Sequence, residues 1–134
     1  VSLEEILMNL SKLSVLQNIN SIMIYLDIKY INFLNARPDY QYPELSKKLS
    51  ILSASSPSET SQESDEMKHS IFSYFLLKGM KGEAIGDDKV LEVGELAEYL
   101  YRKIPEYTSK TDDVKLQNPE FIGSELKRVI LDLK

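Results

Sequence analysis

At 134 residues, with 43% apolar and 28% charged side chains, the chain has the size and make-up of one globular domain, and no apolar run is long enough to cross a bilayer. Lys plus Arg number 16 against 21 Asp plus Glu, a net charge of -5, so the clustered cations that drive binding to nucleic acid or anionic lipid are not expected, and neither partner is assigned. The absence of cysteine excludes disulfides, thiolate metal sites and a thiol nucleophile supplied by this chain.

No leader with a basic start and an apolar core opens the chain, and Val1 stands where an initiator methionine would, which points to a processed or excised piece of something longer. Ser2-Leu3-Glu4-Glu5 fits a capping box, ahead of Leu3, Ile6, Leu7, Leu10 and Leu13 at helical spacing. A first helix follows from that pattern. After the short polar link Gln17-Asn18, the run Ile22-Met23-Ile24-Tyr25-Leu26 has no polar alternation and predicts a strand buried on both faces, as in parallel sheets under helices. Asp27 ends it. Open α/β sheets collect functional groups at the carboxyl ends of their strands, so Asp27, Ile28, Lys29, Tyr30, Ile31 and Asn32 stand where chemistry is expected.

Pro38, Asp39, Tyr40, Tyr42 and Pro43 mark an irregular segment, and a short apolar run predicts a second strand over 49–54. Residues 53–66, SASSPSETSQESDE, hold nothing large and apolar, which predicts a solvated, mobile loop that is either a linker or, following a strand end, a cleft lining. Residues 67–80 are apolar on nearly every face and predict a buried helix stopped by Gly79 and Gly82. A third helix is predicted over 94–104 from the stripe Leu96, Ala97, Leu100 and Ile104, ended by Pro105, with a polar loop over 106–119. The tail Arg128–Leu133 reads as a strand or as the end of a helix begun at Ser124, and the strand is preferred. The order is that of a single α/β domain with at least two parallel neighbouring strands. So narrow a parallel sheet leaves open edges, which calls for a missing N-terminal half, a protein partner or self-association.

His69 is the only histidine, so a multi-histidine metal site is excluded, and its setting beside Ser70 in the first turn of a buried helix favours a hydrogen-bonded packing role over catalysis. Residues 84–95 have the length of a calcium loop ending in Glu95, but Ala84, Gly86 and Lys89 occupy ligand and turn positions, and only Asp88 and Glu95 fit. A polar turn at a helix start is the better reading. Asp87-Asp88 and Asp112-Asp113 read as solvated loop acids. No metal or cofactor is expected, and no G-x-S-x-G, P-loop, G-x-G-x-x-G or H-E-x-x-H occurs.

The stretch KHSIFSYFLLKGMKGEAIGDDKVLEVGELAEYLYRKIPE, residues 68–106, resembles part of the caspase-like cysteine peptidase domain shared by caspases, metacaspases and their bacterial relatives. In that family a Ser/Ala-rich loop precedes a G-H-G-[VLI]-F-T-x-x-L-L-x-G-L-x-G helix, an acidic turn and V-x-E-L-x-x-Y-V. His69, Phe72, Leu76, Leu77, Gly79, Gly82, Gly94, Glu95, Leu96 and Tyr99 fall in register, SASS at 53–56 occupies the preceding loop, and Gln117-Asn118-Pro119 is similar to a later Q-x-P. The resemblance spans most of residues 1–125. It implies a partial caspase-like three-layer sandwich: the C-terminal strands of a mainly parallel sheet with flanking helices. Aligning Leu26-Asp27 with the family's L-D puts Lys29 at the position of the nucleophilic cysteine and Asn32 at its glycine. An ammonium at its normal pKa cannot replace a thiolate activated by imidazole. His69 matches a non-catalytic family position. The resemblance also implies cleft-lining roles for Asp27, Ser55 and Ser56, with Asp27 either part of an acidic pocket or a carboxylate ion-paired to Lys29 or capping its strand. Three functions follow as alternatives: a non-catalytic module acting through protein binding, the C-terminal component of a peptidase whose Cys/His dyad lies elsewhere, or an unrelated α/β binding domain.

Overall fold

The computed structural model describes residues 3–16, 19–27, 43–56, 59–123 and 125–134. Helix α1 (Leu3–Leu16) carries Glu4 and Glu5 in its first turn, at the positive end of the helix dipole. Its predicted cap, Ser2, lies outside the described residues, as does the irregular segment from Pro38 to Tyr42. Strand β1 (Ile22–Leu26) runs parallel to β2 (Leu49–Ser53), with Ile22 opposite Leu49 and Leu26 opposite Ser53. Between them Pro43–Ser46 forms a single helical turn, α2.

The other edge of β2 pairs antiparallel with β6 (Glu120–Ile122), giving the order β1-β2-β6. The sheet is therefore mixed rather than mainly parallel, because its third strand, a segment with no long apolar run, enters against the direction of β2. The central strand is buried at all five residues, whereas β1 is only half-buried throughout. β1 packs on both faces but is only half-buried rather than buried as expected, and it stands at an edge: among the described residues only β2 pairs with it.

Alternation along the strands separates two cores. Leu49 and Ile51, with Ile22, Ile24, Leu26 and Ile122, face α1 and α2 through Leu7 and Leu45. Leu52 and Ala54, with Met23, Tyr25 and Phe121, face the larger cluster of Ile71, Phe72, Phe75, Leu76, Leu96, Leu100 and Ile104. The molecule is a mixed α/β domain with helices on both faces of its central sheet.

The elements supplying that larger cluster depart from their predicted bounds. Helix α3 spans Ile71–Lys78, because Ser70 is its N-cap and the preceding residues form a tight antiparallel hairpin of β3 (Glu63–Ser64) and β4 (His69–Ser70), with Lys68 at φ 56°. Gly79 does not stop the helix. The chain continues into a π-helical turn, Gly79–Glu83, and breaks at Gly82, where φ is 137°. Gly79 matters for proximity instead: a Cβ there would lie 2.9 Å from Leu96 Cδ1 and 3.0 Å from Tyr99 Cδ1.

Helix α4 runs from Val93 to Lys110, straight through Pro105, so the predicted end at Ile104 is corrected and the polar loop begins only after residue 110. Proline removes the N–H that would reach the Tyr101 carbonyl, yet Ile104 and Thr108 continue the buried stripe across it. Tertiary burial outweighs the local penalty. The tail is a strand, β7 (Val129–Asp132), antiparallel to β5 (Val90–Glu92), which directly precedes α4.

Two substitutions test this packing in urea unfolding. Gly79→Ala should cost about 1–3 kcal/mol, since its methyl has no room between α3 and α4. Pro105→Ala should stabilise the chain by roughly 1 kcal/mol, the recovered backbone bond outweighing the greater freedom of the unfolded state; a loss of stability there would show that the helix depends on its proline.

Candidate functional site at the carboxyl end of β1

Asp27 follows the last residue of β1, and hydroxyls from two other elements converge on its carboxylate. Ser61 Oγ donates to Oδ1 at 2.7 Å and Ser73 Oγ to Oδ2 at 2.6 Å, while Ser70 Oγ also donates to Oδ2. Ser70 is in turn the N-cap of α3, accepting from the Ser73 amide at 3.0 Å. The carboxylate thus lies against the positive end of α3, where a negative charge is favoured. Ser70 has its proton on Asp27 and a lone pair on an amide, so it is held as a cap rather than left as a nucleophile.

Beside this cluster Glu63, Ser64, Asp65, Lys68, His69 and Ser70 line an open pocket of ≈ 380 Å³. His69 is exposed in β4, not buried in a helix turn, which corrects the packing role expected for it; the hairpin moves it out of α3 and onto the surface. Lys29, which the caspase-like resemblance would put at the nucleophile position, lies outside the described residues.

The serine-rich loop is more buried than its composition suggests. Ser55, Ser61 and Ser64 are buried, which corrects the picture of a solvated segment over 53–66, of which residues 57 and 58 lie outside the described residues. Ser53 Oγ donates to the Ser55 carbonyl at 2.9 Å and Ser55 Oγ to the Glu59 carbonyl at 3.3 Å. The fully buried Ser55 therefore lines no cleft, and Ser56, half-buried, contributes its carbonyl to the Glu59 amide at 3.0 Å. From the predicted set of Asp27, Ser55 and Ser56, only Asp27 belongs to the converging cluster.

The loop is held from outside by the segment after α4. Glu59 accepts the amide and the Nδ2 of Asn118, each at 2.7 Å, and Gln62 exchanges hydrogen bonds with both main-chain groups of Lys115. Gln117, fully buried, donates from Nε2 to the Ala54 carbonyl at 2.7 Å and accepts the Gln62 amide at 3.1 Å.

The acidic turn before α4 uses its carboxylates on its own backbone. Asp88 Oδ1 accepts the Val90 amide at 3.0 Å, and Glu95 accepts the Glu92 amide at 2.9 Å in a reciprocal capping box at the start of α4. Further along, Tyr99 Oη donates to Glu83 Oε2 at 2.6 Å. Burial first, and then the adjacent Glu83 carboxylate, raise the Tyr99 phenol well above its ordinary value, while the hydroxyl and then Lys78 hold Glu83 below its own.

Ser61, Ser70 and Ser73 were not singled out from the sequence. Ser70 alone carried a signal, a serine immediately before the apolar run of a helix. Comparison of the chain with family models, with curated proteins and with solved structures found no match.

Asp27→Ala should destabilise the domain by roughly 1–2 kcal/mol in chemical unfolding, more than Ser61→Ala, because it removes the shared acceptor of three hydroxyls at an exposed site. The Tyr99 phenol, with its pKa raised on folding, contributes stability that is complete below the ordinary tyrosine value of 10.0 and is lost as pH rises above it. Thermal melts of Tyr99→Phe should accordingly show a shallower decline above pH 10 than the unmodified chain.

Proposed function

We propose that this chain is a non-catalytic module of caspase-like design that acts by binding another protein. The observation that carries the reading is the use made of Asp27. At the strand end where a caspase-like peptidase concentrates its chemistry, this carboxylate accepts three serine hydroxyls and ties β1 to the loop and to the cap of α3. A group so engaged serves as a structural acceptor.

Three further features support it. β1 and β2 run parallel with α3 packed across the face that holds Leu52 and Ala54, as a caspase-like layering requires. The chain offers no sulfur nucleophile, and its one histidine is exposed. Binding, rather than turnover, also suits β1, half-buried and paired among the described residues with β2 alone, beside α1, which itself exposes Ile6, Met8 and Leu13.

The test is direct. Purified chain incubated with fluorogenic peptides ending in Arg, Lys or Asp should give no turnover above buffer; hydrolysis that Asp27→Asn abolishes without unfolding the domain would overturn the reading. Light scattering should report a mass above that of the 15.4 kDa chain. A monodisperse monomer whose β1 amides are all protected from exchange would contradict the binding role, since the edge would then be covered from within.

A further inference from the structure

Residues 59–62 attach to the rest of the molecule without one large apolar side chain, through hydrogen bonds at both ends. At one end Glu59 holds Asn118, and at the other Ser61 donates to Asp27 while Gln62 meets Lys115 and Gln117. The amides of Gln62, Lys115 and Asn118 all donate to side-chain oxygens rather than to carbonyls of a helix or sheet. The inner member of the set is different. Gln117 is fully buried, held by the Ala54 carbonyl and by Thr108 Oγ1, which accepts its amide at 3.1 Å.

We propose that residues 59–62 form a latch that opens as one unit against the fixed Gln117, breaking the bonds to Asp27, to the Ile71 amide and to 115–118 together and freeing Asp27 Oδ1. Opening exposes little apolar surface, and water can replace the exposed bonds of Gln62 and Lys115, so it requires far less than global unfolding. Cooperation follows from length. The main chain of the segment is anchored at both ends, the Glu59 carbonyl accepting Ser55 Oγ at 3.3 Å and the Gln62 carbonyl accepting the Ile71 amide at 2.9 Å, so displacing these four residues as a backbone unit carries the side-chain bonds of Glu59, Ser61 and Gln62 with it. The closed latch gives Asp27 its contact on Oδ1, while the two hydroxyls on Oδ2 come from α3 and its cap and remain when the latch opens. The latch does not depend on the proposed binding role.

Native-state amide exchange followed by NMR tests this. In the unmodified chain the Gln62, Lys115 and Asn118 amides should share one opening constant, about a hundredfold or more above that of Leu52 in the central strand. Asn118→Ala and Ser61→Ala, at opposite ends, should each speed exchange at both Gln62 and Lys115 by about tenfold and leave Leu52 unchanged. Unequal constants for the three amides, an effect confined to the altered end, or a proportionate acceleration at Leu52 would each overturn the latch.

Discussion

Everything in this domain is arranged around a strand that water does not reach. Leu49–Ser53 is buried along its whole length, so both of its faces and both of its edges must be satisfied by something else. The edges are taken by β1 and β6, and the faces by α1 with α2 and by α3 with α4. Each layer is only as thick as that strand demands. The smaller cluster rests on Leu7 and Leu45, and α1 beside it leaves Ile6, Met8 and Leu13 exposed.

The parts legible in the sequence were those governed by a single local rule. The unbroken apolar run over Ile22–Leu26 gave a strand, the stripe from Leu96 to Ile104 gave a helix, and Val129–Leu131 gave the terminal strand. What escaped was decided by distant partners. Pro105 obeys the local rule for a helix stop, but burial of Ile104 and Thr108 against the rest of the cluster overrides it. Gly79 reads as a terminator yet sits at αR, and its role is to let Leu96 and Tyr99 approach. The direction of β6 carries no periodic signal at all.

The candidate site shows the same division. Asp27 was found because a strand ending marks a place, and its position needed only the strand. Its partners come from 34, 43 and 46 residues away, and no spacing rule joins a serine in a loop to a carboxylate at that separation. Composition misled most in the serine-rich loop, where small polar residues suggested a solvated linker. Small hydroxyls are also the side chains that can be buried cheaply against nearby carbonyls, as Ser53 and Ser55 are.

Gln117 gives that loop a different character from a flexible tether. Its side-chain amide donates to the Ala54 carbonyl, just past the end of β2, and accepts the Gln62 amide, with no solvent access. It has the donor and acceptor of a peptide group, so a single side chain bridges two main-chain groups as one rung of a strand would. An amide fills that place without a charge. A glutamate would turn a lone pair toward the Ala54 carbonyl and bury a charge beside it, whereas a hydrocarbon of the same length would leave both main-chain groups without a partner.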